Sequence, residues 1–116
     1  MNLPTVINCK KANLIKSGYK DLQDWLSKPG HIYIGRNISF YVPGATGSKW
    51  ANKFSVKKYS REKCLELYEA DIRSNPDLMN SLHELKDMTC ACWCKPEGCH
   101  GDILIKLYKE KFQTGK

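Results

Sequence analysis

An α/β sandwich with a small, largely parallel sheet is the fold class this sequence predicts, and three observations predict it. Short β-prone runs alternate along the chain with stretches of helical periodicity, the pattern of strands joined by helices. The 116 residues match one domain, and no internal repeat, low-complexity tract or linker divides them, so residues 1–116 read as a single unit. A hydrophobic content of 41% with 27% charged residues is that of an ordinary globular chain, not a disordered one.

Each element has a local reason. Residues 5–9 (TVINC) are β-prone and stop at Lys10-Lys11, which makes them the first strand. Residues 12–30 read as polar and irregular, except that Leu22, Trp25 and Leu26 have the spacing of one short helical turn before Pro29-Gly30. The second strand is 31–35, closed by Gly35-Arg36. A long loop follows from Asn37 to Phe54, with Pro43-Gly44 and Gly47-Ser48 as turn signals, and residues 38–42 are expected to form a further short strand inside it. Ser60 is a helix N-cap with Glu62 in the first turn, and Leu65, Tyr68 and Ile72 make one apolar face. Asn75-Pro76 starts a second helix, lined by Leu78, Leu82 and Leu85. Residues 88–93 are short and apolar, hence a buried strand. The last helix is expected over 102–112, with Leu104, Leu107 and Tyr108 inward and Lys106, Lys109 and Lys111 outward.

Composition narrows the function classes. No apolar run approaches the roughly 20 residues that cross a bilayer, so no membrane partner is expected. The opening MNLPTVINCKK has no basic segment followed by an apolar one, which argues for a cytoplasmic protein whose six cysteines are reduced or metal-bound and not a disulfide framework. The formal net charge is +7, and it is uneven. Residues 1–58 hold ten Lys+Arg against two acids, +8, while residues 59–116 hold nine against ten, −1. A basic first half favours a phosphate-bearing partner, although surface lysines also simply keep small proteins soluble.

Chemistry concentrates in residues 90–102 (CACWCKPEGCHGD), where four cysteines and a histidine meet at a strand-to-helix turn. On an extended strand Cys90, Cys92 and Cys94 share one face, and Ala91 and Trp93 the other. Three readings stay open. The turn can be a ligand cradle, in which backbone N–H groups near Cys99 to Asp102 face an anion and Gly98 and Gly101 allow close approach. Cys92, Cys94, Cys99 and His100 can make a Cys3His zinc site, although zinc ligands more often come in pairs on separate turns. Or the cysteines are small buried hydrophobes, the favoured reading for Cys9, Cys64 and Cys90. Cys99 is the best-placed nucleophile, at a helix start, but neighbouring His100 does not face it there.

A second constellation joins Gly35-Arg36 to residues 47–54 (GSKWANKF). Arg36 and Lys49 supply phosphate donors, Ser48 and Asn52 polar contacts, and Trp50 or Phe54 a ring that stacks on a base. The alternative is that the aromatic rings pin the loop to the core, favoured for Phe54. His31 and His83 are isolated.

Five segments together resemble the domain-of-unknown-function 4326 family of small phage, bacterial and large-virus proteins. They are Val6-Ile7-Asn8-Cys9-Lys10, Tyr33-Ile34-Gly35-Arg36, the loop from Ser48 to Phe54, Ser60-Arg61-Glu62-Lys63-Cys64, and the run from Cys92 through Cys99-His100-Gly101-Asp102 to Leu104. Two departures stand out: the loop between Arg36 and Trp50 is longer than the family's, and residues 12–30 look like an added segment; Trp50-Ala51-Asn52-Lys53-Phe54 also replaces its W-G-N-P-F. The resemblance implies a small three-layer Rossmann-like sandwich, a link made by analogy. The expected function is binding of a phosphate-bearing nucleotide or nucleotide-derived ligand, modified or sequestered. Arg36, Ser48, Lys49, Trp50 and Asn52 would contact it from one loop, and Cys94, Cys99, His100 and Asp102 from the other. If bonds are broken, hydrolysis with Asp102 or His100 as acid/base is the expectation. The alternatives are a non-catalytic nucleic-acid-binding module and a structural zinc protein.

Overall fold

The structure, a computed structural model, describes residues 3–54, 57–93 and 99–113. It is a mixed α/β fold built on an open three-stranded sheet with five α-helices among the described residues. The strands are β1 (Thr5–Asn8), β2 (His31–Tyr33) and β3 (Thr89–Cys92), in the order β1-β3-β2. Both pairings are parallel, with Val6 and Ile32 flanking Cys90, and Ile7 and Tyr33 flanking Ala91. The helices are α1 (Lys11–Lys16), α2 (Leu22–Leu26), α3 (Arg61–Arg73), α4 (Pro76–Ser81) and α5 (His100–Gln113), with a 3-10 turn over Leu82–Leu85.

The period-2 alternation of β3 splits the core in two. Cys90 and Cys92 pack with Tyr68 and Ile72 of α3, Leu82 and Leu85 of the 3-10 turn, and Leu104, Leu107 and Tyr108 of α5. Ala91 packs on the other side with Leu14 of α1, Leu22 and Trp25 of α2, and Tyr33. The middle strand is therefore buried on both faces, the normal state of a parallel strand. α3 begins as its sequence dictates: the Ser60 side chain accepts from the Lys63 N–H at 3.1 Å. α4 begins likewise, with Asn75 accepting from Leu78 N–H at 3.2 Å and Pro76 in the first turn.

Three sequence expectations change. Residues 12–30 are not all irregular, because Lys11–Lys16 forms α1 and buries Leu14. Residues 38–42 are not a strand: the Tyr41 and Val42 N–H groups both bond back to the Ile38 carbonyl, folding the run into a turn. The last helix starts at His100, two residues earlier than its apolar periodicity indicates, because Asp102 stabilises that first turn by accepting from the Cys99 N–H at 3.1 Å. No helix among the described residues is long and apolar enough to cross a membrane.

Candidate functional site

All three strands run the same way, so their carboxyl ends meet along one edge of the sheet, where open parallel sheets bind ligands. A cleft of about 330 Å³ opens there beside the ends of β2 and β3. Its walls come from four places: Tyr33 to Ile38 after β2, Asn52 to Arg61 leading into α3, Trp93 after β3, and Cys99-His100 at the start of α5.

The Tyr33-Ile34-Gly35-Arg36 segment is shaped by its own tyrosine. The Tyr33 side chain curls back over Gly35, so that a Cβ on residue 35 would collide with the Tyr33 hydroxyl, and only glycine fits beneath it. The hydroxyl donates to the Arg36 carbonyl at 2.7 Å and accepts from Trp93 Nε1–H at 2.9 Å. That chain of bonds fixes the cleft's floor across two strands. The Arg36 Nε–H donates to the Asn52 carbonyl at 2.6 Å, which ties β2's end to the far side of the loop and leaves the Nη donors for an anion. The Asn52 side chain is occupied by its own loop, accepting from the Phe54 N–H at 2.9 Å.

On the opposite wall His100 is buried and locked. Its Nε2 lies 2.7 Å from the Ile34 carbonyl, and a carbonyl only accepts, so Nε2 carries the proton and Nδ1 is the acceptor nitrogen. Burial holds its pKa below the ordinary histidine range; the bond to Ile34 opposes this and the nearby Arg36 charge reinforces it. Tyr68 meets the ring edge-to-face at 5.2 Å, and burial pushes that phenol far above its usual value. Gly101 lets α5 approach the sheet: a Cβ there would sit 2.6 Å from Val6 Cγ2 and 3.1 Å from Ile34 Cδ1.

The cleft's electrostatics are one-sided. Arg36, Lys57 and Arg61 line it, and no Asp or Glu does among the described residues. Cys64 and Leu65 bring in the first turns of α3, so this helix and α5 both turn their N-terminal ends to the cleft, adding positive potential. Tyr33, Phe54 and Trp93 supply aromatic wall.

Of the residues expected at the site, Arg36, Asn52, Cys99 and His100 do come together around this cleft. Four others stand elsewhere. Trp50 is 0% exposed and packs in the core with Tyr68, whose hydroxyl donates to the Trp50 carbonyl at 2.6 Å, so its ring cannot stack on a ligand. Ser48 serves the turn, its Oγ accepting from Trp50 N–H at 3.0 Å. Lys49 turns to Glu84, 2.7 Å away, and does not line the cleft. Asp102 holds the α5 start as described and is not among the lining residues. Cys94 lies outside the described residues. Among the described residues no three His, Cys, Asp or Glu side chains gather as a metal site. Sequence reasoning assigned no site role to Lys57, Arg61 or Trp93. Arg61 and Trp93 do stand inside the motifs that carry the family resemblance, and that was the available signal.

The chain is similar to two viral proteins. Over 87 residues it is 40% identical to "Uncharacterized protein R718" of Acanthamoeba polyphaga mimivirus, covering 67% of this chain and 66% of that protein, just under two thirds of its length. Over 76 residues it is 36% identical to "Uncharacterized 12.4 kDa protein in nrdA-td intergenic region" of Enterobacteria phage T4, covering 59% of this chain and 70% of the relative. No solved structure is significantly similar to it. The family model described as Domain of unknown function (DUF4326) matches residues 18–110, which takes in β2, α3, β3 and every described wall of the cleft, and the chain belongs to that family.

Proposed function

We propose that this protein binds a phosphate-bearing nucleotide or nucleotide-derived ligand in the cleft between the Arg36–Asn52 loop and the β3–α5 turn. The observation that carries the reading is the lining itself: Arg36, Lys57 and Arg61, with no Asp or Glu among the described lining residues, next to the rings of Tyr33, Phe54 and Trp93. Cationic donors match phosphate, and an aromatic wall matches a planar base. The cleft's volume of about 330 Å³ lies within the range of small-molecule sites. On this reading the fold is a small three-layer Rossmann-like sandwich, with α1 and α2 on one face and α3, α4 and α5 on the other, and the protein is cytoplasmic. Binding or sequestration fits the site better than hydrolysis. Asp102 is engaged by the Cys99 N–H, and one nitrogen of His100 is committed to Ile34.

Isothermal titration calorimetry against a panel of mono-, di- and cyclic nucleotides tests the reading. A member that binds should lose roughly tenfold to a hundredfold in affinity in Arg36→Ala, the size of about 1.5–3 kcal/mol for a charge-assisted hydrogen bond. No binding by any member of the panel sinks it.

Single-stranded nucleic acid is the second reading, favoured by one observation. Phe40 and Tyr41 are 90% and 81% exposed, stacked edge-to-face in the loop that leaves Arg36. Bases stack on such rings, and affinity would then fall steeply between 50 and 200 mM salt (about 10³-fold or more). A flat salt response rejects it.

A further inference from the structure

We propose that Cys92 and Cys99 are a redox-active dithiol, which a hydroperoxide entering the cleft converts to an intramolecular disulfide tying the end of β3 to the start of α5. The two Sγ atoms are 3.0 Å apart in the interior, each residue 1% exposed. That separation is closer than ordinary contact between two sulfur atoms, and a movement of about 1 Å brings it to the S–S bond length of about 2.05 Å. The other cysteines among the described residues have no such neighbour: Cys64 Sγ points to the Tyr59 carbonyl, and no thiol lies within hydrogen-bond distance of the Cys9 or Cys90 sulfur.

The pair is also asymmetric in a way that assigns the roles. Cys99 is one of the cleft's lining residues and Cys92, on the strand behind it, is not, so an oxidant in the cleft meets Cys99 first. The Gly101 N–H donates to Cys99 Sγ at 3.2 Å, and this sulfur lies at the positive end of a 14-residue helix. Burial and the neighbouring Cys92 push the Cys9 and Cys90 thiols up to about 12, and neither residue lines the cleft.

The chemistry balances with the hydroperoxide as oxidant. The Cys99 thiolate attacks the terminal peroxide oxygen, the O–O bond breaks, and the departing alkoxide or hydroxide takes up the proton lost from Cys99. The sulfenic acid on Cys99 is then attacked by the Cys92 sulfur. The S–O bond breaks, and its oxygen leaves as water with the Cys92 proton. Two thiols lose two electrons to one peroxide, yielding one disulfide, one water and one alcohol or second water. The inference is independent of the nucleotide reading.

Peroxide titration of the folded chain, quenched with iodoacetamide and read by intact mass and peptide mapping, is the test. The expected product is lighter by two hydrogens, takes up two fewer alkyl groups after unfolding, joins Cys92 to Cys99, and reverts with dithiothreitol. Cys92→Ser and Cys99→Ser should each lose the crosslink, while Cys90→Ser and Cys94→Ser keep it. Should the serine variants fail to fold, the wild-type peptide map decides alone. A bond joining any other pair overturns the proposal, as does oxidation that stops at sulfinic or sulfonic acid on one thiol. So does a tightly bound metal that leaves both thiols unreactive until a chelator removes it.

Discussion

The 36–54 loop and the β3–α5 turn border one cleft, yet they are held by different forces. The loop is held by side-chain-to-backbone bonds, Ser48 to Trp50 and Asn52 to Phe54 locally, and Arg36 to Asn52 across its ends. Its apolar anchors are Ala45 on one side of the sheet and Trp50 on the other. The described ends of the turn are held by close packing, with Gly101 pressed on Val6 and Cys99 buried against Cys92. Polar changes in the loop should therefore alter what binds, while small volume changes in the turn should alter whether the protein folds.

The largest effect expected is at the bulkier of the loop's two anchors. Trp50→Ala should cost about 3–5 kcal/mol of stability by urea denaturation, the range for emptying a buried aromatic site. Trp50→Phe should cost much less, because it also removes the buried Nε1–H donor that has no partner among the described residues. If Trp50→Ala is as stable as wild type and only binding falls, the ring faces the ligand after all and the contrast fails.

Next comes the turn. Gly101→Ala puts a methyl group 2.6 Å from Val6 Cγ2 and should destabilise by about 1–3 kcal/mol, the usual cost of overpacking. Val6→Ala in the same chain should recover part of that loss, whereas additive losses would show that the close approach is not the cause.

The pH dependence belongs to the sheet-and-turn side. His100 has a lowered pKa when folded, so the unfolded chain binds the extra proton first. Stability is then fully present above the ordinary histidine value of 6.5 and declines as pH falls from there toward the folded value. Cys9 and Cys90 act in the opposite sense. Unfolded thiols ionise near 9.0 and the folded ones near 12, so stability declines as pH rises through that interval. Chemical denaturation from pH 5 to pH 10 should show a maximum between these flanks, and the acid flank should flatten in a folded His100→Gln variant. The smallest effect is expected for Lys49→Ala, which breaks an exposed pair with Glu84 and should leave both stability and ligand affinity close to wild type. A large loss of affinity there would move the site toward the loop's outer face.

The same contrast explains what could be read from the chain. The strand leading into the turn was legible, because alternation along β3 assigns Cys90 and Cys92 to one face and Ala91 to the other with no tertiary knowledge. The Ser60 and Asn75-Pro76 helix starts were legible for the same reason: capping is local. The loop was not. An aromatic ring among polar residues reads equally as a stacking platform or an anchor, and only the packing of α3 on the sheet decides that Trp50 is an anchor. α1 leaves little trace in the sequence, because a six-residue helix burying one leucine has almost no period. Lys57 and Arg61 gain meaning only from the position of α3, which brings them opposite residues more than twenty places earlier in the chain.

The strand order has a consequence for how the protein comes into being. β1 and β2 bond only to β3, so the central strand is the last of the three to be made. A nascent chain that has emerged no further than α4 holds two strands with no partner between them and a two-sided core with its middle missing. Sheet pairing then waits for residues 89–92, and the contacts that close it are far apart in sequence, which slows folding. Fold and cleft therefore arise in a single late step during synthesis, and a ribosome stalled before β3 would display neither.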